Sequence, residues 1–137
     1  MPHRSELGKI GENLATDYLK RQRYKILERN YRQPWGEIDI IARSPDKTLV
    51  FVEVKAVKGL GITPEEHLTK SKLKILERTA SLYTGQHPQL VKDNKGWRID
   101  LIAISFNPGH TPTSMNIGSG GLTDSLKDFV IKHYENI

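Results

Sequence analysis

The stretch that decides the fold is GEIDIIAR (residues 36–43), SPDK (44–47) and TLVFVEVK (48–55). β-Branched residues dominate the two outer segments, and the polar, proline-containing segment between them is typical of a turn. The sequence therefore predicts two adjacent strands joined by a short connection. Side chains alternate between the two faces of a strand, and both faces are largely apolar here, so we expect the hairpin to be buried on both sides.

Three ionisable residues, Asp39, Glu53 and Lys55, interrupt this apolar hairpin at the end away from the turn. If the hairpin folds about residue 46, Asp39 lies directly opposite Glu53, and such cross-strand partners have Cβ atoms about 5 Å apart on one face. Lys55 follows Glu53 by two residues and shares that face. This register requires a loop with an odd number of residues, or a bulge that restores the parity. The sequence therefore predicts that the three side chains cluster.

Asp46 offers a second way to pair an acid with Glu53, because Pro45-Asp46 and Glu53-Val54-Lys55 together spell a PD…ExK string. Asp46 falls in the turn, however, about 23 Å from Glu53 along an extended strand. We therefore expect Asp39, and not Asp46, to be the partner of Glu53.

A cluster of Asp39, Glu53 and Lys55 suits metal-dependent hydrolysis of a phosphodiester. Two neighbouring carboxylates repel each other unless they share a cation, and their oxygen atoms suit Mg²⁺, with Mn²⁺ as a substitute. Such an ion can engage a phosphate and lower the pKa of an attacking water molecule. Lys55 can orient or deprotonate that water or neutralise charge on the phosphate. The alternative is a structural buried salt bridge, which is costly to desolvate.

The remaining segments predict one mixed α/β domain over residues 1–137, with helices flanking a central sheet in the order α-β-β-β-α-β. The apolar stripe Leu7, Ile10, Leu14 and Tyr18, capped by Ser5, predicts the first helix. Thr63-Pro64-Glu65-Glu66 is typical of the start of the second helix. The expected ranges are helices at 6–22 and 64–84, further strands at 24–32 and 97–106, a flexible insertion at 107–123, and a strand or short helix within 124–137.

Composition narrows the class of protein. The 137 residues contain no cysteine, which excludes disulfides, thiolate zinc sites and cysteine nucleophiles. No apolar run approaches the roughly 20 residues of a membrane span, and the N-terminal segment lacks the apolar run of a secretory signal. We therefore expect a soluble cytoplasmic protein with no membrane partner. The five histidines have no metal-ligand spacing, and we expect them at the surface.

The net charge of +5 favours a polyanionic partner, nucleic acid above all. Basic residues concentrate at 20–32, where Arg29 and Arg32 are candidate phosphate contacts; the alternative is a solvated helix end favoured by the helix dipole. Lys72 falls within the apolar stripe of the second helix, where it either contacts phosphate or extends its head group to water. Lys58, close to Lys55, is a further candidate contact with nucleic acid.

Four segments, GKIGENLATDYL, GEIDIIA, LVFVEVK and RIDLIAI, together resemble the YraN family over about residues 7 to 105. This bacterial family is placed in the PD-(D/E)xK, restriction-endonuclease-like superfamily and is related to archaeal Holliday-junction resolvases. The resemblance implies a restriction-endonuclease-like fold and an endonuclease acting on DNA, with branched DNA as a plausible substrate. It also makes a homodimer attractive, because resolvases cut two symmetric strands as dimers.

The resemblance also assigns roles to individual residues. It implies that Asp39 and Glu53 are metal ligands, that the backbone carbonyl of Val54 completes the site, and that Lys55 is the catalytic lysine. Glu12 matches an additional N-terminal glutamate of the resolvase-like branch, which makes it a further candidate catalytic residue. On a helical wheel Glu12 lies beside the small residues Gly8, Gly11 and Ala15, which would let the helix approach the sheet; the alternative is an ordinary solvated glutamate.

Two other classes of function remain open on the sequence. One is a nucleic-acid-binding or partner-docking module that keeps the nuclease fold with little or no catalysis. The presence of all three of Asp39, Glu53 and Lys55 argues against it. The other is a structural α/β protein in which the same residues form a buried ion pair.

Overall fold

The computed structural model describes residues 5–59, 66, 68–92, 94–107 and 129–137. Its strands form a single sheet in which spatial order follows sequence order; β3 and β4 are parallel, and the other neighbours are antiparallel. The mixed α/β prediction is confirmed. The elements are α1 (Glu6–Arg21), β1 (Lys25–Gln33), β2 (Gly36–Arg43), β3 (Leu49–Lys58), α2 (Lys70–Gln86), a 3₁₀ turn (Pro88–Leu90), β4 (Trp97–Phe106) and β5 (Phe129–Tyr134).

Helices α1 and α2 cover opposite faces of the sheet. On β3, Val50 and Val52 belong to the core beneath α1, whereas Leu49 and Phe51 belong to the core beneath α2. Burial of both faces of the hairpin is therefore confirmed, and it explains why β3 is apolar at successive positions and does not alternate with polar residues. Among the described helices, none combines the length and the apolar character that a bilayer crossing requires.

The hairpin has the predicted register. Ile41 pairs with Phe51 and Arg43 with Leu49, so both pairs are centred on residue 46. The connection spans 44–48, an odd number of residues, and Asp46 accepts hydrogen bonds from the Ser44 hydroxyl and from the Thr48 amide at 3.2 Å. These hydrogen bonds lower the pKa of Asp46 to about 2. Asp46 therefore stabilises the turn, as its position in the sequence predicts.

The predicted helix starts and the predicted C-terminal element agree with the structure at some positions and differ at others. Ser5 caps α1, accepting a hydrogen bond from the Gly8 amide at 2.9 Å. The predicted start of the second helix at 64 is wrong for α2, because residues 68 and 69 are not helical and Thr69 caps the helix by accepting from the Lys72 amide at 3.2 Å. The cap expected at Thr63 and nearly all of the insertion at 107–123 lie outside the described residues. Of the two alternatives for 124–137, the strand is correct.

A buried polar network fastens β5 and the C-terminal residues to β4 and α1. Asp100 is fully buried, and its carboxylate is hydrogen-bonded to His133 Nε2 at 2.7 Å, Arg98 Nε at 3.0 Å and the Asn136 amide at 2.9 Å. The Nδ1 atom of His133 lies 3.1 Å from the Tyr18 hydroxyl. The expectation that all the histidines lie at the surface is therefore wrong for His133, which completes a buried network.

Replacing Asp100 with asparagine should lower the free energy of unfolding by about 2–3 kcal/mol at neutral pH, because a buried charged acceptor of several hydrogen bonds is lost. Burial is the largest single influence on the pKa of Asp100 and raises it. The hydrogen bonds from His133 and Arg98 lead the opposing influences, which together outweigh burial, so the pKa lies below its ordinary value of 3.8. The stabilisation is present above that value and is lost as pH falls through the lowered pKa of the folded state.

Urea denaturation of both proteins from neutral to acidic pH measures this difference. As a control, Glu135→Gln changes an exposed carboxylate that contacts the same Arg98 and should alter stability by less than about 1 kcal/mol. An Asp100→Asn protein as stable as the wild type at neutral pH would contradict the assignment.

Candidate active site

Asp39 lies where the ladder between β2 and β3 ends. The last backbone pair is Ile40 with Val52. Beyond this pair, the Oδ2 atom of Asp39 takes the place of a backbone acceptor and accepts a hydrogen bond from the Val54 amide at 2.8 Å. Glu53 is the residue between that last pair and Val54, and both carboxyl groups are buried, with 7% of each residue exposed. The structure therefore brings Asp39 and Glu53 together at this break in the ladder.

The backbone around Asp39 departs from regular strand geometry. Ile38 packs with Ile41 in the core beneath α2, while Ile40 belongs to the core beneath α1, so strict alternation fails around Asp39. Across the sheet, Asn30 of β1 lies between the pairs that flank Asp39 and has a φ of 56°. Asparagine tolerates this left-handed conformation better than most residues. Neither feature was predicted, because each depends on how three strands pack together.

The surroundings of Glu53 disfavour its ionised form. Burial raises its pKa, and the negative charge of Asp39 and hydrogen bonding with that residue raise it further, to about 8. The opposing influence is Lys72 of α2, whose Nζ atom lies 3.2 Å from Glu53 Oε2. Burial and Asp39 therefore outweigh Lys72 at Glu53, and the carboxyl pair suits a shared proton or a cation.

Two lysines flank the carboxyl pair in different ways. Lys55 follows Glu53 by two residues on β3 and is exposed. The ammonium in contact with Glu53 belongs instead to Lys72, whose position within the apolar stripe of α2 directs it towards the sheet. Neither sequence-based expectation for Lys72, a phosphate contact or a head group extended to water, included this ion pair.

Glu12 is buried and belongs to a neighbouring cluster. Only 2% of the residue is exposed, and its Oε1 accepts hydrogen bonds from Arg29 Nη2 at 2.9 Å and Asn30 Nδ2 at 3.1 Å. The alternative of an ordinary solvated glutamate is therefore wrong. In the described part of the chain, no three acidic or histidine side chains converge closely enough to hold a metal ion, so Glu12, Asp39 and Glu53 do not form one such group.

The four predicted contacts with nucleic acid differ in their availability. Arg29 bonds Glu12 and also the Asn13 side chain at 2.8 Å, and Arg32 Nε donates to Glu37 at 3.1 Å. Lys72 pairs with Glu53, whereas Lys58 is exposed near the end of β3. Three of the four cations therefore have acidic partners within the protein. Arg29 and Arg32 remain partly exposed, with 36% and 48% of their side chains accessible.

Gly11 sets the distance between α1 and β3, beside Glu12. A Cβ atom at Gly11 would lie 2.7 Å from the Cβ atom of Ala56, so the small residue permits close approach, as the sequence predicts.

Gly11→Ala should therefore destabilise the protein by about 1–2 kcal/mol despite alanine's higher helix propensity. Gly85→Ala on α2 is a matched control: its added methyl group meets no atom within 4 Å, and we expect a gain of up to about 1 kcal/mol. Thermal unfolding compares the two, and equal effects would contradict the close approach.

The raised pKa of Glu53 predicts a pH dependence of stability in protein freed of metal with EDTA. Between the ordinary pKa of 4.5 and about 8, the folded protein retains a proton that the unfolded chain has released. Raising the pH across this window should therefore lower the free energy of unfolding. Glu53→Gln removes the titrating group and should flatten this dependence. Urea denaturation at several pH values measures the slope, and equal slopes for the two proteins would contradict the buried carboxyl pair.

Comparison with known proteins identifies relatives along most of the chain. A protein-family model described as Uncharacterised protein family UPF0102 matches residues 11–104, a range that includes Glu12, Asp39, Glu53 and Lys72. A UPF0102 protein of Fervidobacterium nodosum is 37% identical over 128 residues, covering 93% of this chain and 78% of the relative. One from Geobacter metallireducens is 43% identical over 106 residues, covering 77% and 84%. A third, from Thermotoga neapolitana, is 44% identical over 98 residues, covering 71% and 85%. The resemblance to the YraN family is thereby confirmed, and the chain belongs to that family, UPF0102.

Proposed function

We propose that this protein is a metal-dependent endonuclease that hydrolyses phosphodiester bonds of nucleic acid, with DNA as its substrate. The observation that carries the proposal is the buried pair of Asp39 and Glu53 at the break in the β2–β3 ladder. A structural core gains little from two adjacent acids, because each costs free energy to desolvate and each repels the other. A site that collects a cation and a phosphate has a use for both.

The donor atoms fit a hard divalent cation. Asp39 and Glu53 supply carboxylate oxygens, and the carbonyl of Val54 belongs to the residue whose amide already binds Asp39. Mg²⁺ is bound by one or two carboxylates and keeps several waters, and Mn²⁺ accepts the same oxygen ligands. When bound, such an ion would polarise a phosphate and lower the pKa of an attacking water.

The surrounding side chains have separate roles in this proposal. Lys55 is exposed on the strand that carries Glu53, so its ammonium can reach a phosphate or a water molecule that solvent also reaches. Glu12 acts as a positioning residue: it holds Arg29 and Asn30 of β1, the strand that pairs with β2 alongside Asp39. The basic excess of the chain, +5 overall, would favour association of the protein with a polyanion.

The order of elements supports the restriction-endonuclease-like part of the proposal. A helix precedes three strands, and α2 then leads to β4, which is the α-β-β-β-α-β order that the sequence predicts. Branched DNA as the preferred substrate and a homodimer as the active form rest on the resemblance to resolvases.

The test is a cleavage assay with purified protein on linear duplex, single-stranded and four-way-junction DNA, with RNA as a further substrate. Cleavage should require Mg²⁺ or Mn²⁺ and stop in EDTA. Asp39→Asn and Glu53→Gln should each reduce the rate at least about 100-fold, because each replaces a negatively charged carboxylate ligand with a neutral amide. Lys55→Met should reduce it by a similar factor through loss of proton transfer or charge stabilisation.

Asp46→Asn is the matched control, because Asp46 lies in the turn of the same hairpin and carries the acid of the literal PD…ExK string. Its activity should stay close to that of the wild type. Cleavage that survives Asp39→Asn and Glu53→Gln would defeat the proposal. A protein that binds nucleic acid without cutting it, and gains no stability from Mg²⁺, would instead be the binding module that the sequence leaves open.

A further inference from the structure

The ion pair between Lys72 and Glu53 joins a cation of α2 to the carboxylate that the proposed function assigns to a metal ion. The Lys72 ammonium lies 3.2 Å from Glu53 Oε2, and 48% of the lysine side chain is exposed against 8% of the glutamate side chain. The two members of the pair therefore differ in their exposure to solvent. Glu53 is buried on β3, whereas Lys72 approaches it from the solvent side. The Lys72 side chain can therefore move away from Glu53 while α2 and β3 stay folded.

The backbone beneath Lys72 is anchored while its side chain is long and jointed. Its amide donates to the capping hydroxyl of Thr69 at 3.2 Å, which fixes the first turn of α2. The four-carbon stem carries a compact charge with three donors and can rotate about several bonds. The ammonium can therefore exchange Glu53 for another anion nearby while α2 stays in place.

A divalent cation on Glu53 would compete with Lys72 for the same carboxylate. Both bind the oxygens of one buried group, and two cations held on one carboxylate repel each other. Once the lysine is displaced, its charge needs a new partner. A phosphate of nucleic acid that approaches the metal site is the nearest anion that the proposed function supplies.

We propose that Lys72 is an internal counter-cation for Glu53 that transfers to a substrate phosphate when a divalent ion occupies the site. This inference rests on the proposed function and adds a coupling to it: metal loading makes Lys72 available for nucleic acid. The coupling distinguishes Lys72 from Arg29 and Arg32, whose acidic partners Glu12 and Glu37 lie outside the carboxyl pair. Contacts made by those arginines would not depend on the metal.

The first arm of the test follows the lysine nitrogen directly, without nucleic acid. Heteronuclear NMR that correlates each lysine nitrogen with its non-exchanging methylene protons should be recorded above the pKa of Glu53, with the Lys72 signal assigned from Lys72→Arg. Adding Mg²⁺ should shift the Lys72 signal and leave that of Lys74, an exposed lysine on the same helix, in place. The shift should vanish in Glu53→Gln. An unmoved Lys72 signal while calorimetry shows Mg²⁺ binding would overturn the proposal.

The second arm measures affinity for a DNA oligonucleotide in Mg²⁺ and in EDTA, with Lys55→Met in every protein so that the DNA stays intact. Lys72→Gln should weaken binding at least about fivefold in Mg²⁺, as expected for loss of a phosphate contact, and leave it unchanged in EDTA. Lys74→Gln should have equal effects in both conditions. Equal losses for Lys72→Gln with and without Mg²⁺ would make Lys72 an ordinary phosphate contact and overturn the transfer.

These outcomes are separable from failure of the proposed function. If calorimetry detects no Mg²⁺ binding that depends on Asp39 and Glu53, the metal site itself is wrong, and the transfer falls with it. If Mg²⁺ binds and Lys72 shifts but no nucleic acid is cut, the displacement stands while the nuclease proposal fails.

Discussion

The hydrogen bond from the Val54 amide to the Asp39 carboxylate is the constraint on which the candidate site depends. An antiparallel ladder would normally continue past Ile40 and Val52 with backbone pairs on both strands. Here a side chain replaces the backbone acceptor, so the ladder ends without leaving the Val54 donor unpaired in the interior. The two strands can then carry acidic side chains at a depth where apolar residues are otherwise the rule.

Three buried carboxyl groups of the described residues, Asp100, Glu12 and Glu53, differ in how neighbouring groups compensate their charge. Around Asp100, an arginine, a histidine and a backbone amide satisfy the carboxylate, and its pKa falls accordingly. Around Glu12, Arg29 and Asn30 of β1 donate to the carboxylate. Around Glu53 the balance is reversed: burial and a second carboxyl group oppose ionisation more than Lys72 favours it. An added cation would therefore favour the ionised form of Glu53.

The helices serve this arrangement from both sides of the sheet. On one face, Gly11 lets α1 come close to β3 near Ala56 and brings Glu12 within reach of β1. On the other face, α2 begins at a threonine cap three residues before Lys72, which fixes the point from which that ammonium reaches Glu53. The cap and the close approach are local features of each helix, but their effect is to set charges around the same hairpin.

The sequence by itself determined the mixed α/β class, the hairpin centred on residue 46 and the proximity of Asp39 to Glu53. These follow from alternation, turn composition and parity, which act over a few residues and are readable in one dimension. Only the tertiary structure decided that Lys72 contacts Glu53, that Asn30 and Arg29 hold Glu12, and that α2 begins at Lys70. Each of these features depends on how separate elements pack in space and on which polar groups still need a hydrogen-bond partner. The local spacing of residues encodes neither the packing nor the remaining partners.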